Sequence, residues 1–252
     1  MSLDISVVII TKNEVDRIGR CIQSLLALTD DIIVIDSGST DGTINKAKEL
    51  GAKVYESPWK GYGPTKNFGH TKTKYDWIIS IDADESLSAD LLAEMNDLEL
   101  ESGHVYTIDR QNFYLGKQIK YSGWSPDWVY RVFNKNEVKW NDNLVHEKLV
   151  IPSDFRIKQL KHKLIHDSYR SIEDHKIKVE KYAALRAQIW LDKNNHPSHL
   201  KRVFGPLFKG FKSYILKLGI LDGKEGWTIA KMNFHLVKRQ IHYFDQLKKS
   251  KS

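Results

Sequence analysis

Two stretches decide the fold class of this chain: Ile5-Ser6-Val7-Val8-Ile9-Ile10, and Ile32-Ile33-Val34-Ile35. Each is a short, continuous run of mostly β-branched residues, which is typical of a strand buried on both faces of a parallel sheet. Between them, residues 15–28 carry apolar side chains at helical spacing. A strand, a helix and a second strand of these lengths predict a β-α-β unit.

The alternation continues along the first hundred residues. We expect a helix that begins at Ser39-Thr40-Asp41 and ends at Gly51, strands at 54–56 and 77–81, and a helix at 89–100 that is capped by Ser88. From about residue 104 the pattern changes to short strands, which we expect to extend the sheet in antiparallel fashion: 105–110, 113–115, 118–121 and 129–133, with a tight turn at 115–117.

Beyond residue 170 the chain becomes basic, and its apolar spacing predicts helices at 171–194, 198–218 and 226–247, the second of them kinked at Gly205-Pro206. The predicted fold class is therefore α/β. A Rossmann-like, mostly parallel sheet flanked by helices occupies residues 1–170, and a helical basic C-terminal region occupies residues 171–252.

Composition excludes several classes of protein. Of the 252 residues, 41% are hydrophobic and 11% aromatic, which is enough for a core and excludes global disorder. The single cysteine, Cys21, excludes an internal disulfide framework and a cysteine-based zinc site, and we expect it to pack in the core. We find no run near the roughly 18 apolar residues of a transmembrane helix and no basic leader of a signal peptide, so we expect a soluble intracellular protein.

The charge is divided unevenly along the chain. Residues 1–150 contain 17 basic and 23 acidic side chains, whereas residues 151–252 contain 22 basic and 9 acidic ones, within a net charge of +7. We expect the acidic half to have its negative charge offset only when a cation binds. The excess of positive charge in residues 151–252 indicates an anionic partner.

The strongest local signal is Asp82-Ala83-Asp84 at the end of a predicted strand. Ligands bind beyond the carboxyl ends of strands in open α/β sheets, and two carboxylates one residue apart can hold a divalent cation that neutralises a diphosphate. The alternative is an acidic turn that caps a helix.

Other strand ends are polar as well. Thr11-Lys12-Asn13-Glu14 follows the first strand and Asp36-Ser37-Gly38-Ser39-Thr40-Asp41-Gly42-Thr43 follows the second, while Lys66 offers a cation for phosphate. Asp36 can accept from a base N–H, and it would lie near Asp82 if the two strands are close in the sheet. An ordinary β-α loop with a helix cap would also explain the second motif, but three polar strand ends on one edge favour a ligand site.

These three motifs together resemble the nucleotide-sugar half of family 2 glycosyltransferases with the GT-A fold, over roughly residues 4–170. Residues 123–127, 131–133 and 145–147, together with Leu218–Gly223, are similar to the branch of lipopolysaccharide core β-glucosyltransferases. The resemblance implies an inverting, metal-dependent transfer of a hexose, such as glucose from UDP-glucose, to a core sugar such as heptose.

The resemblance also implies roles for individual residues. Thr11, Glu14 and Asp36 would contact the uridine, Lys66 would hold the nucleotide, Asp82 would touch ribose or metal, and Asp84 would ligate Mg²⁺ or Mn²⁺. His166 would complete the metal shell or touch the diphosphate; its alternative is a satisfied polar residue near the core. The base that deprotonates the acceptor would be Glu147, with Asp127 as the rival.

Two residues near the rival base are candidates for the acceptor. The ring of Trp124 could stack on a sugar face, and Arg131 could pair with an acidic or phosphorylated group. Core packing and a structural ion pair are their respective alternatives. For Trp128 and Trp140 we expect core packing.

The basic region suits an anionic glycolipid acceptor. Residues 198–218 combine an apolar stripe with lysines and arginine, which predicts peripheral contact with the inner face of the cytoplasmic membrane. The alternative is a helix packed on the catalytic domain. We expect no nucleic-acid partner, since no zinc-finger, helix-turn-helix or RRM pattern is present. Two other functions stay open: a nucleotidyltransferase on a similar sheet, and a non-catalytic module that binds membranes or anions.

Overall fold

A computed structural model of the protein describes residues 3–142 and 147–251. Its contacts divide the chain into two compact units. The first unit comprises residues 1–111 and 127–166, and the second comprises residues 112–126 and 167–252.

The strands and helices follow one another in the order β1 (Ile5–Thr11), α1 (Val15–Gln23), β2 (Ile32–Asp36), α2 (Thr43–Glu49), β3 (Lys53–Glu56), α3 (Tyr62–His70), β4 (Trp77–Asp82), β5 (Glu85–Leu87), α4 (Ala89–Asn96), β6 (His104–Tyr114), β7 (Lys117–Gln118), β8 (Trp128–Asn134), β9 (Lys139–Trp140), β10 (Leu149–Val150), β11 (Arg156–Tyr169), α5 (Ile172–Asp192), α6 (His199–Phe211) and α7 (Gly223–Lys251). A π-helical turn, Lys212–Leu216, and a 3₁₀ turn, Gly219–Asp222, join α6 to α7.

The central sheet has the strand order β3-β2-β1-β4-β8-β6-β11-β5. Its first four strands are parallel, and β8 and β6 continue it in antiparallel fashion, as expected for the region after residue 104. The predicted α/β class is confirmed: helices flank the sheet, and its strands β3, β2, β1 and β4 pair in parallel. Strands β9 and β10 form a separate two-stranded ribbon.

The core of the first unit lies on the faces of the parallel strands. Every residue of β1 and β2 is buried, which is why both strands are continuous β-branched runs rather than alternating patterns. Helix α1 packs Ile18, Cys21 and Ile22 onto this surface, so the expected packing role of Cys21 is confirmed. Burial raises the pKa of its thiol, and the nearby Glu85 raises it further, so the side chain stays neutral.

Several elements differ from the expectation. Residues 104–114 form one long strand instead of two, and the tight turn that follows places Leu115 and Gly116 at positive φ. Helix α3, the short strand β5 and most of β11 were not predicted. The packing expected for the two tryptophans is confirmed for Trp140, which is buried, and wrong for Trp128, which is 41% exposed.

Helices α5 and α6 of the second unit begin within one residue of the predicted positions, and α7 begins at Gly223, three residues before the predicted start. Ser171 and Ser198 cap α5 and α6, and each side chain accepts a hydrogen bond from the backbone N–H three residues later. Helix α6 continues through Pro206, and the helix type changes only at Lys212, so the irregularity lies six residues beyond the expected kink. Among the described residues, no helix is both long and apolar enough to cross a membrane.

Candidate functional site

Strands β1, β2 and β4 end together at one edge of the sheet. The register pairs Thr11 with Asp36 and Ile10 with Asp82, so the three predicted strand-end motifs share this edge. Strand β1 lies between β2 and β4, which separates Asp36 from Asp82 by roughly 10 Å, two strand spacings. The edge therefore spans the width of an extended ligand rather than a single compact cluster.

Asp36 is fully buried and organises the loop after β2. Its Oδ1 accepts the backbone N–H groups of Gly38 and Ser39 at 2.9 and 2.8 Å, and the Ser39 hydroxyl donates to its Oδ2. These bonds fix the loop in its turn, as expected for a β-α connection. The contact of Asp36 with uridine stays a prediction.

The end of β1 carries one satisfied and one unsatisfied polar group. Arg17 donates to both carboxylate oxygens of Glu14, from Nε at 2.7 Å and from Nη2 at 2.8 Å. The Oγ1 of Thr11 is buried and has no hydrogen-bond partner in the described part of the chain. A buried hydroxyl without a partner costs stability, so Thr11 is a position that a bound ligand would stabilise.

Sheet pairing brings His166 to Asp84. Strand β11 pairs with β5 so that His166 lies opposite Glu85, the residue after Asp84. Nε2 of His166 is 3.6 Å from Oδ2 of Asp84, and Nη1 of Arg17 is 3.9 Å from the same oxygen. Burial raises the pKa of Asp84, but His166 and Arg17 outweigh this effect, so the net pKa lies below its usual value and the carboxylate is ionised.

Asp82 is held by two buried cations. Nζ of Lys66 lies 3.4 Å from its Oδ1, and Nη2 of Arg131 donates to its Oδ2 at 2.9 Å. Burial raises the pKa of Asp82, but the charges of Lys66 and Arg131 lower it by more, so the pKa lies well below its usual range. Because both oxygens already face cations, Asp82 is less available to a metal than Asp84.

A buried carboxylate that the sequence analysis missed, Glu85, joins two arginines. Its Oε1 accepts from Arg131 and from Arg110, the latter at 3.1 Å, and its Oε2 accepts the backbone N–H of Asp82 at 3.0 Å. Burial lowers the pKa of each guanidinium, but Glu85 and Asp82 together, with Asp127 beside Arg110, raise it by more, so the net pKa of both lies above its usual value and both stay charged. The signal available in the sequence was the position of Glu85 directly after the Asp-Ala-Asp motif.

The two candidate bases are each paired with a cation. Oε1 of Glu147 lies 3.2 Å from Nζ of Lys66, which also lies 4.6 Å above the centre of the Trp140 ring. Asp127 accepts from Nε and Nη2 of Arg110 at 2.9 and 2.8 Å. Helix α3 supplies Lys66, so this unpredicted helix places the cation between Asp82 and Glu147.

The candidate acceptor residues have structural partners. Arg131 is 3% exposed and paired with Asp82 and Glu85, so the structural ion pair accounts for it. In the second unit, Trp124 packs edge-on to Tyr114, with ring centres 5.8 Å apart. The sugar-stacking role of Trp124 stays a prediction. The Val145-His146 part of the motif before Glu147 lies outside the described residues.

Comparison with known proteins shows the family of the chain. Residues 6–149 match the family model described as glycosyl transferase family 2. The chain belongs to this family. An uncharacterized glycosyltransferase of Rickettsia bellii is 32% identical over 242 residues, which cover 89% of this chain and 80% of that protein. The lipopolysaccharide core biosynthesis glycosyltransferase LpsC of Rhizobium meliloti is 28% identical over 235 residues, covering 88% and 82%.

A solved structure supports the fold of this family 2 glycosyltransferase. The mannosyltransferase PcManGT of Pyrobaculum calidifontis, in complex with GDP-Man and Mn²⁺, superimposes with a TM-score of 0.54. The match covers 96% of this chain and 87% of that chain at 10% identity, so it bears on the fold alone. The predicted resemblance and the predicted transferase activity are confirmed, which decides against the nucleotidyltransferase and the non-catalytic module.

The residues at the edge fit a divalent cation. Two ligands about 2.1 Å from one ion stand roughly 3.0–3.4 Å apart, and the Asp84 and His166 atoms are 3.6 Å apart. Among residues 3–142 and 147–251, no group of three His, Cys, Asp or Glu side chains is arranged to hold a metal. Asp84 and His166 could therefore supply at most two ligands, and substrate phosphate and water would have to fill the other positions of such a cation.

Proposed function

We propose that this family 2 glycosyltransferase transfers glucose from UDP-glucose to a sugar of a lipopolysaccharide or lipooligosaccharide core, such as heptose, with inversion at the anomeric carbon. The observation that carries the proposal is the pair of Asp84 and His166 beside the Lys66–Asp82 pair, at the carboxyl edge of the sheet. The similarity to LpsC, a lipopolysaccharide core biosynthesis glycosyltransferase, supports the acceptor class.

The donor would lie along this edge. Thr11, Glu14 and Asp36 would face the uridine end, Asp82 the ribose, and Lys66 the diphosphate. Asp84 and His166 would hold the divalent cation, and the imidazole ligand favours Mn²⁺ over Mg²⁺, which prefers oxygen ligands alone. When bound, the cation would neutralise the departing diphosphate.

Glu147 is our proposed base, and Asp127 is the rival. The base takes the proton of the acceptor hydroxyl while that oxygen forms a bond to the anomeric carbon and the bond from this carbon to the diphosphate breaks. Asp127 is bound by two donors of one arginine, whereas Glu147 faces the single ammonium of Lys66 at 3.2 Å. An ammonium can turn to an incoming phosphate more readily than a planar guanidinium that donates two hydrogen bonds can release its partner, which favours Glu147.

The acceptor is proposed to be an anionic glycolipid held at the inner face of the cytoplasmic membrane, with Trp124 as a stacking surface for one of its sugars. An aromatic face suits the apolar face of a sugar ring, and the basic C-terminal half suits an anionic acceptor.

The test is a donor screen that measures released nucleotide, with a heptose-containing core acceptor and with or without Mn²⁺. We expect UDP-glucose and Mn²⁺ to give turnover, and Asp84→Ala to abolish it while the circular dichroism spectrum is unchanged. The exposed Asp97→Ala is the matched control and should retain full activity. Full activity of Asp84→Ala would contradict the metal assignment.

The base is tested with two isosteric variants. We expect Glu147→Gln to lower kcat by about 10²–10⁴-fold while the binding of UDP-glucose is retained. Asp127→Asn should lower kcat much less. If Glu147→Gln turns over normally and Asp127→Asn does not, the assignment is reversed.

A further inference from the structure

Helix α6, in the second unit, is packed with its small residues inward. Pro206 and the neighbouring Ser213 are buried, and a Cβ added at Gly210 would lie 3.3 Å from the backbone oxygen of Ala230 in α7. An amphipathic helix of a globular protein normally buries its large apolar side chains and exposes small or polar ones. In α6 this arrangement is reversed.

The large apolar side chains of α6 point to solvent. The exposed set, called here the α6 face, has exposed fractions of 48–69% and consists of Leu200, Val203, Phe204, Leu207, Phe208 and Phe211. Isolated exposed apolar residues are common on soluble proteins, but a contiguous row on one helix marks an interaction surface.

The segment that follows α6 is also apolar and exposed. Ile215, Leu216 and Leu218 are 43–56% exposed, and Leu221 and Trp227 are 61% and 54% exposed. Trp227 packs edge-on against Tyr214, with ring centres 5.2 Å apart, so its ring is held while half of it stays accessible. A tryptophan in this position suits the boundary between water and lipid.

The charges around the α6 face are almost all positive. Residues 198–231 contain seven Lys or Arg and two acidic residues, Asp222 and Glu225. Asp222 is buried, Glu225 is paired with Lys117 at 2.8 Å, and Arg202 is paired with Asp245 of α7 at 2.8 Å, which leaves six lysines as the other cations of the segment. The lysines of this segment are exposed, so the face presents an apolar row bordered by cations.

We propose that the α6 face binds the interface of an anionic lipid bilayer, lying in the plane of the headgroups with its Phe and Leu side chains inserted. Apolar insertion together with attraction of lysines to anionic lipid is the combination that holds interfacial helices. A second copy of the chain fits less well, because it would bring a second set of cations against the first. This proposal goes beyond the proposed function and does not depend on which sugar is transferred.

The test is sedimentation of the full chain with phosphatidylcholine vesicles, with and without phosphatidylglycerol. We expect binding to the anionic vesicles that weakens steeply at high salt. The triple variant Phe204→Ser, Leu207→Ser, Phe208→Ser should bind about 100-fold more weakly, on the basis of roughly fivefold for each half-exposed side chain.

The matched control is Leu26→Ser, Val150→Ser, Ile157→Ser, which changes three apolar residues of similar exposure in the first unit. It should bind vesicles like the unchanged protein. A circular dichroism spectrum checks that both triple variants are folded. If the α6 variant does not fold, Lys212→Gln with Lys217→Gln tests the same surface and should lower binding to anionic vesicles.

Three results would overturn the proposal. The first is that the unchanged protein does not bind anionic vesicles. The second is that the control triple variant weakens binding as much as the α6 variant. The third is that light scattering shows a dimer that the α6 variant dissociates, while vesicles bind neither protein; the face would then join two copies of the chain.

Discussion

Replacing Glu85 with glutamine should destabilise the first unit by about 3–5 kcal/mol, because it removes the negative charge from a buried ion-pair network. Glu85 is 1% exposed and contacts Arg131, Arg110 and the backbone N–H of Asp82. Glutamine has the same shape, so no cavity forms and the loss is one of charge.

The magnitude of the destabilisation follows from the carboxylate partners that the two arginines would retain. Arg110 retains Asp127, at 2.8 Å, and Arg131 retains Asp82, at 2.9 Å. Each guanidinium would lose its buried partner and be left with one that is partly exposed. For a chain of this length, about 1 kcal/mol shifts Tm by roughly 2–4 °C, so we expect a decrease of about 10 °C.

The assay is differential scanning calorimetry, followed by urea unfolding monitored by tryptophan fluorescence. Because the chain forms two units, coincident transitions by the two probes are needed before a single free energy of unfolding is assigned. Glu173→Gln, at a carboxylate whose side chain is 69% exposed, is the matched control and should change stability by less than about 0.5 kcal/mol.

A double-mutant cycle separates charge from shape. We expect the double variant Glu85→Gln, Arg131→Met to be more stable than the sum of the two single effects predicts, by at least about 1 kcal/mol. A Glu85→Gln protein that unfolds within about 0.5 kcal/mol of the unchanged chain would refute the reasoning that this network is held by the buried charge.

The remaining predictions concern the second unit. In Gly226→Ala, the new Cβ would lie 1.8 Å from the backbone oxygen of Gly219, so urea unfolding should show a loss of several kcal/mol, whereas Gly205→Ala, whose Cβ meets only ordinary contacts, should be neutral or stabilising. Asp222→Asn should cost about 1–3 kcal/mol and increase amide exchange at Lys120 and Tyr121, whose backbone N–H groups this buried carboxylate accepts together with the Ser122 hydroxyl. Burial lowers the pKa of His175 to about 4, so the unfolded state binds the proton first as the pH decreases. The free energy of unfolding should therefore fall by up to about 3 kcal/mol between pH 6.5 and pH 4. The difference in this free energy between the unchanged protein and His175→Phe should shrink over the same range, and a constant difference would contradict the prediction.

Strands with one strong local pattern were predictable, and elements that depend on distant contacts were not. Helix α3 contains Gly63, Pro64 and Gly69, which disfavour a helix in an isolated sequence. Its glycines are required by packing: a Cβ at Gly69 would lie 2.4 Å from the side chain of Val8 in β1. The sequence shows the weak helix propensity, whereas the close approach that compensates for it appears only in the fold.

The long strand β11 was missed for a related reason. Its first ten residues include Lys158, Lys161 and Lys163, a composition that suggests a surface loop. In the structure, Lys158 pairs with Glu101 and Lys163 with Asp109, partners 54 or more positions away along the chain. These pairs are not visible in a local pattern, so only the apolar end of the strand, before His166, could be recognised.

The residue types of the site were predictable from the sequence, whereas the ion-pair partner of each residue was much less so. The sequence placed polar strand ends on one edge, and the register of β1 with β2 and β4 brings them there. The expectation that the negative charge of this half is offset only by a bound cation is wrong, because Lys66, Arg17, Arg110 and Arg131 already pair with its carboxylates. Which cation pairs with which carboxylate depends on tertiary contacts that spacing cannot reveal.

After the ion pairs are counted, the carboxylates of this edge retain a net negative charge, which is the sign that a bound metal ion would need. They join six carboxylates, Glu14, Asp82, Asp84, Glu85, Asp127 and Glu147, to four cations, Lys66, Arg17, Arg110 and Arg131, which gives a formal charge of −2 from these ten side chains. A divalent cation would cancel this charge, whereas a diphosphate arriving without one would be repelled by it. The same cations that hold these six carboxylates together therefore also reduce their summed formal charge from −6 to −2.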